Sequence, residues 1–421
     1  MSLISSLYIG TSGLAASTDE LNVVGDNIAN ANTVGFKAGR AAFEAAFSET
    51  LIGGVGQMGN GTRLQAVQRM FTQGALLPTG QATDLALQGP GFFVVKGEHN
   101  GVPGQFYTRA GQFRMDEGGH LVNLEGLRVQ GYTAASDGAI AGPLGDMNIG
   151  AATSPAKATT SITLKGNLSS DAPVQTVPFD PTNPADTSNF STAVTVYDSL
   201  GKAHQVDVYY AHTGPGTWEY HAITDVGGTP TEIASGSLTF DSDGKLTDAT
   251  TGPFTTAFPD ATPTDLNFNF GDSTVSGGTG LGGFTQFANA SSTTFTNQDG
   301  FEAGVLSRVD VDSKGNVVGM FTNGQSRTVA QVAVADFEAP DKLSSVGGNL
   351  WAERPDSGQP TIGVGGEGGR GAVVAGALEQ SNVEISNEFV RMIAAQRGFQ
   401  ANSKTISTAD QLLSELISLK R

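Results

Sequence analysis

The chain has no cysteine among its 421 residues, which excludes disulfides, zinc–thiolate centres and thiol nucleophiles. Such a chain suits work outside the cell without oxidative chemistry. Charged residues are scarce (15%), Trp occurs only twice, and no apolar run is long enough to span a membrane. Between residues 150 and 300 there is no Arg and only 4 Lys against 15 Asp or Glu, a balance of −11 within a net charge of −18. Nucleic-acid binding needs the opposite sign, so an acidic, solvated outer domain is expected there instead. The N-terminus, MSLISSLYIGTSGLAAS, lacks a basic start, and Gly10–Thr11–Ser12–Gly13 breaks its apolar stretch. It does not read as a secretory signal peptide, and export would need another route.

Signatures of catalysis are missing too. GxGxxG occurs at Gly54/Gly56/Gly59, Gly278/Gly280/Gly283 and Gly363/Gly365/Gly368. None follows a strand and opens a helix, so none can offer a helix N-terminus to a pyrophosphate. Asp310, Asp312 and Gly315 resemble the start of a calcium loop, but Lys314 takes a ligand position and Phe321 stands where the bidentate Glu belongs, so a hairpin turn is the better reading. The five His show no metal-binding spacing, and no G-x-S-x-G elbow exists. No catalytic, cofactor-binding or metal-ligating residue is singled out, and an enzyme is not expected.

What the chain does contain is glycine (57 residues) and helical periodicity confined to its ends. Residues 381–421 read as one long helix, with Ile385, Met392, Phe399, Ile406 and Leu413 recurring every seven residues. Beside them runs an incomplete second row, Phe389, Ile393, Leu412, Leu416 and Leu419. Leu7, Leu14, Leu21 and Ile28 repeat at the same interval within residues 1–30, and the small or polar Thr11, Thr18 and Gly25 complete a narrow seam. Leu7, Leu14, Leu21, Ile28, Ile385, Phe389, Met392, Phe399, Ile406, Leu413 and Leu416 are therefore the candidate assembly interface. The two ends pair as a coiled-coil-like core that orders on assembly.

Between them the pattern turns to β. The first helix ends near Asn30–Ala31–Asn32–Thr33, and a second short helix is expected over residues 36–52. Strands follow at Phe92–Phe93–Val94–Val95, Phe106–Tyr107–Thr108–Arg109 and His120–Leu121–Val122. One hairpin form, Asp and Gly in a tight turn between apolar strands, recurs at residues 113–121, 240–246 and 311–317. Residues 276–283 look like a loop or linker leading out of a Thr-, Ser-, Pro- and Asp-rich insert. The expected fold is mixed, mainly β: nested barrel- or sandwich-like β-domains inserted between paired terminal α-helices. The expected domains are a helical core (1–30 plus 381–421), a connecting region (31–70 plus 363–380), an inner β-domain (71–149 plus 299–362) and an outer one (150–298). Gly53, Gly54, Gly56, Gly59, Gly61, Gly363, Gly365 and Gly368 are candidate hinges, because glycine tolerates large backbone change.

Several blocks are recognisable. Ser12–Gly13–Leu14 and the stretch from Asp26 through Asn27, Asn30, Asn32, Gly35 and Phe36 to Lys37 resemble the N-terminal signature of bacterial flagellar axial proteins. Phe71–Thr72–Gln73–Gly74, Asp84–Leu85–Ala86–Leu87 with Gly91–Phe92–Phe93, and Tyr107–Thr108–Arg109–Ala110–Gly111 are similar to the next blocks. Residues 376–384 and the run Gln396–Arg397–Gly398–Phe399–Gln400–Ala401–Asn402 resemble the C-terminal signature. Within this rod and hook family, the insert with Val194–Thr195–Val196–Tyr197–Asp198–Ser199–Leu200–Gly201 and a Trp218 strand looks like a hook middle domain, which shorter rod proteins lack.

The resemblance implies an exported structural subunit, carried by the flagellar type III apparatus without a cleaved signal. It implies self-assembly into a short curved extracellular tube, helices inside and β-domains outside, acting as a universal joint. Implied partners are further copies of the chain, the distal rod protein, the hook cap, the hook–filament junction protein and the hook-length ruler, with no nucleic acid, membrane insertion or cofactor. The rivals are a distal rod drive shaft and, from another class, a surface adhesin or carbohydrate-binding β-protein.

Overall fold

The computed structural model describes residues 3–47, 59–135 and 137–419. They form two compact units, one of residues 1–152, 308–320 and 326–421, the other of residues 153–307 and 321–325. In the first, helix α1 (Leu3–Ala29) opens the chain and helix α2 (Ile385–Leu419) closes it. No described helix is long and apolar enough to cross a membrane.

After α1 the short helix expected over residues 36–52 is replaced by a strand as far as residue 47, and residues 48–52 lie outside the described residues. Strand β1 (Gly39–Phe47) pairs antiparallel with β2 (Gly59–Arg69), from Gly39 opposite Arg69 to Phe47 opposite Gly59. Ala-rich GRAAFEAAF suits either state, and the ladder with β2 decides it. The Asn27 side chain also holds Gly39 from both directions, accepting from its amide at 2.7 Å and donating to its carbonyl at 2.8 Å.

Further along run β3 (Leu76–Pro78), β4 (Leu85–Gln88) and the hairpin of β5 (Phe92–His99) with β6 (Val102–Thr108). The returning chain pairs back on them: Ala377–Glu379 lies against β3, Ala372–Ala375 against β4, and Ser326–Asp336 against β5. Phe92, Val94, Tyr107, Phe337 and Trp351 are buried together, with Phe71 edge-on to Phe92 and Trp351.

The second unit packs a five-stranded antiparallel meander, residues 190–249, around Trp218, Tyr210 and Tyr220. A further sheet places Ser161–Asn167 parallel to Thr264–Asn269 and antiparallel to Ser292–Gln298, contributing Phe268, Phe270 and Phe284 to the same core. Burial alternates along Ala203–Gly214 as a half-covered strand requires. Of the two readings of residues 276–283, the loop is the one that forms, packed against its neighbours. Gly280 accepts from the Leu246 amide, Gly278 donates to Ser273, and a Cβ at Gly283 would lie 1.8 Å from the Phe270 carbonyl oxygen. Abundant glycine here serves close packing, not freedom.

The three recurrent hairpin turns share one geometry. Asp116, Asp241 and Asp312 each accept an amide four residues on through Oδ1, while Gly119, Gly244 and Gly315 sit at φ near +78°. A turn of this kind followed by a left-handed Gly closes a short hairpin. Asp198 with Gly201 is a fourth example that the sequence reading did not count. The Asp312 oxygens are engaged within their own turn, which disposes of the calcium-loop resemblance.

Asp299 ties down the base of the second unit, accepting from the Ser161 and Thr160 amides, the Thr160 hydroxyl and the Lys157 ammonium. Burial by itself would raise its carboxyl, but these donors outweigh it and hold the group well below the usual range. A depressed native pKa stabilises the fold above the unfolded value of about 3.9, and that contribution is lost as pH falls below it. Asp299→Ala should lower the unit's melting temperature at neutral pH, and the gap to the parent chain should close steadily below about pH 4. A gap independent of pH in thermal melts would show that the carboxylate charge is not what stabilises this corner.

Candidate functional site

The two helices lie against each other along a seam of small side chains. On α2 the buried positions Glu388, Ala395 and Ala409, with half-buried Asn402, recur every seven residues. On α1 the approach is made by Gly10, Gly13 and Ser17. A Cβ at Gly10 would lie 2.7 Å from Ile406 Cγ1, one at Gly13 would lie 2.5 Å from Asn402 Nδ2, and one at Gly398 would lie 3.3 Å from the Ser17 hydroxyl. The narrow seam expected of α1 exists, but not at Thr11, Thr18 and Gly25: the first two are exposed and Gly25 faces open space. The reason is rotational. Contacts follow the alternating three-and-four spacing of Gly10, Gly13 and Ser17, one helical position away from the expected row.

Leu7, Leu14, Leu21 and Ile28 are half-buried flanks of this seam, as are Met392, Ile406 and Leu413. Ile385, Phe389 and Phe399 are 45%, 50% and 41% exposed, and Ile393 and Leu412 of the second row also face outward. The Leu416 and Leu419 side chains lie outside the description. Large apolar groups of α2 thus remain uncovered within one subunit.

Where the helices meet the β-structure, three distant stretches converge on one buried carboxylate. Glu379 Oε1 accepts from Lys37 Nζ at 2.7 Å and from the Gly74 amide at 2.9 Å, and Oε2 accepts from Arg109 Nη1 at 3.2 Å. The Glu379 carbonyl accepts the Gly35 amide at 2.8 Å. Lys37 also donates to the Thr72 carbonyl, and Arg109 to the Gly89 carbonyl while lying over the Phe92 ring. Lys37, Glu379 and Arg109 are almost wholly out of solvent. Burial is the largest influence on both cations and lowers each pKa, while the Glu379 charge pulls them back up.

A second layer supports the first. Asn382 accepts from the Ala38 amide and donates to the Met70 carbonyl, and Asn27 donates to buried Glu388 at 3.2 Å. Of the other signature residues, Phe36 is buried beneath Arg69, and Asn30 caps the end of α1 by bonding Asp26 and Thr33. Asn32, Gln396 and Arg397 are exposed. Sequence reasoning quoted Lys37, Arg109 and Glu379 inside blocks but assigned them no role. The available signal was a lone charge beside glycine or small apolar residues in a chain poor in charge.

Of the candidate hinges, Gly53, Gly54 and Gly56 lie outside the described residues. Gly59 and Gly61 belong to β2. Gly363 lies in Thr361–Val364, opposite Val334, while Gly365 and Gly368 lie in the turn that follows, which Arg370 closes through Val364. That geometry is an ordered turn. Among the described residues no group of three His, Asp or Glu is placed to hold a metal ion.

Gly35 has φ +69°, and a Cβ there would sit 2.6 Å from the Ala110 nitrogen. Gly80 has φ +74° with open space around it. Gly35→Ala should therefore lower the melting temperature well beyond Gly80→Ala, which meets only the backbone strain of about 1–3 kcal/mol. Equal shifts in calorimetry would show that close approach at Gly35 is unimportant. Gly13→Ile should part the helices, read as lost helical circular dichroism with the β melt retained. Unchanged helicity would contradict the seam.

Family models match in chain order: "Flagella basal body rod protein" over residues 7–37, "Flagellar hook protein FlgE/F/G D1 domain" over 86–170, "Flagellar basal body protein FlaE D2 domain" over 167–301 and "Flagellar basal body rod FlgEFG protein C-terminal" over 374–419. The chain is 35% identical over 418 residues to the flagellar hook protein FlgE of Escherichia coli, covering 97% of this chain and 98% of that one. It is 34% identical over 458 residues to that of Borreliella burgdorferi, covering 99% and 100%. A crystal structure of Helicobacter pylori flagellar hook protein FlgE2 overlaps 72% of this chain and all of that one at 17% identity and a TM-score of 0.46, a likeness too distant to carry an argument. With full-length relatives above 30% identity, the chain belongs to the flagellar hook protein FlgE family, whose members are structural subunits of the bacterial flagellar hook.

Proposed function

We propose that this hook subunit polymerises through its terminal helices into a curved tube outside the cell, which bends as it carries motor torque from rod to filament. The observation that carries this reading is the uncovered apolar surface of α2, where Phe389, Ile393, Phe399 and Leu412 face outward because the seam with α1 is made of small side chains. Such a surface on a helix pair calls for a neighbour. A groove of about 520 Å³ along the pair, lined by Ser6, Ala401, Thr405, Ala409 and Leu412, offers a place for one. The acidic outer β-unit suits the solvated face of the tube, where neighbouring units slide and separate as it bends.

This reading brings the wider assembly with it. The chain would leave through the flagellar export apparatus without a cleaved leader. It would meet the distal rod protein below and the junction protein above, growing under a cap to a length set by a ruler.

Phe399 is exposed, so Phe399→Asp, alone or with Leu14→Asp, should abolish polymers seen by electron microscopy while the β-melts stay unchanged. Normal tubes from the double variant would refute assembly through the helices. Curved tubes from the full chain, and none from a chain lacking residues 1–30 and 384–421, are the expected result. Straight tubes would favour a rod-like shaft. Soluble monomers under every condition would return the acidic unit to a surface-binding role, read on a glycan array. Replacing Gly59, Gly61, Gly363, Gly365 and Gly368 by Ala tests them as hinges: straightened tubes support that role, and unchanged curvature supports ordered loops.

A further inference from the structure

The route from the β-structure into the helices runs through two covalent connectors, residues 30–38 toward α1 and residues 380–384 toward α2. We infer that the Glu379 carboxylate latches both connectors to the β-structure and so sets the orientation of the helix pair upon it. Where this concerns torque it rests on the tube reading; the latch itself is a property of the single chain.

The bonding is shared out in a way that a purely local ion pair would not need. Glu379 ends the strand that runs directly into the connector to α2, Lys37 and Gly35 belong to the connector leading from α1, and Arg109 to the loop after β6. Arg109 is anchored in turn on the Gly89 carbonyl and the Phe92 ring of the inner core. Through its carboxylate and its main-chain carbonyl, Glu379 thus joins both connectors to the inner core.

The charge count gives the latch a direction. Two buried cations share one anion. Removing Lys37 leaves Glu379 and Arg109 as a balanced pair, whereas neutralising Glu379 leaves buried Lys37 without a counter-charge and Arg109 with only the weaker influence of Asp336. An unpaired buried charge is far more disruptive than a missing pair. Glu379→Gln should therefore free the helices, whereas Lys37→Met, which strands no charge and keeps the Gly35 amide on the Glu379 carbonyl, should not.

Because the chain has no cysteine, spin labels can be placed cleanly. One pair, Thr18→Cys on α1 with Val102→Cys at the exposed β5–β6 tip, reports helix against β-structure. A second, Val102→Cys with Met115→Cys, reports the β-structure alone. Distances are read by dipolar spectroscopy in tubes diluted with unlabelled chain. The first pair should give a narrow distribution in the parent, at least doubled in width in E379Q and unchanged in K37M, while the second stays narrow throughout.

An E379Q distribution as narrow as the parent's overturns the latch, since the connectors then suffice. Joint broadening of both pairs also overturns it, since Glu379 would merely support the β-fold. Equal broadening in K37M would place the hold in the Lys37 link and overturn it likewise. Should E379Q not fold, Arg109→Lys keeps the charge without the planar reach to Gly89; broadening of the first pair is expected, and parental width overturns the inference. If the parent forms no tubes, the proposed function fails, and the same distances are read on the monomer. A broad parental distribution there overturns the latch.

Discussion

One buried carboxylate organises the region where helix gives way to sheet. A carboxylate and two cations removed from water are tolerated only when each is paired and its remaining hydrogen-bonding capacity is largely met. Glu379 meets this condition by drawing Lys37, Gly74 and Arg109 together, while Lys37 and Arg109 find further acceptors at Thr72 and Gly89. The stretches at residues 35–37, 72–74 and 109 are far apart in sequence, so the cluster exists only when the chain ends have returned to the same place. Gly35 and Gly74 admit this convergence, since a Cβ at either would collide with the backbone facing it.

The helix pair works by the opposite rule. The α1 side of its seam is small, so that α1 comes close to α2 at Gly10 and Gly13 while Asn402 and Ile406 of α2 fill the space. Asn402 is a polar group in the middle of this contact, the kind of residue that sets register in paired helices. The consequence lies on the outside, where Phe389, Ile393 and Phe399 stay in solvent. Under the proposed assembly, a helix that kept these residues for its own partner would have little left to offer a neighbouring subunit.

Much of this was legible from residues alone. The Asp and Gly turns announced their hairpins because a carboxylate acceptor and a left-handed position are local requirements, and all three formed as expected. The terminal helices were legible because seven-residue spacing survives without knowledge of the partner. Strand β1 was not, since an Ala-rich segment has no decisive local preference and its state rests on pairing with β2. Residues 276–283 stayed open between loop and linker for a related reason: glycine permits both a free linker and the tightest packing, and only the neighbours choose between them.

By itself the sequence determined the mainly β middle, the paired ends, the acidic insert and the family signature blocks. All of these are written in composition, local turn chemistry and short-period patterning. The tertiary structure decided which side of each helix forms the seam, because rotation by one position leaves the heptad period unchanged. It also decided that Lys37, Arg109 and Glu379 share one site. Electrostatic pairing depends on distance in space, and residues separated by 342 positions, as Lys37 and Glu379 are, carry no trace of that distance in the chain.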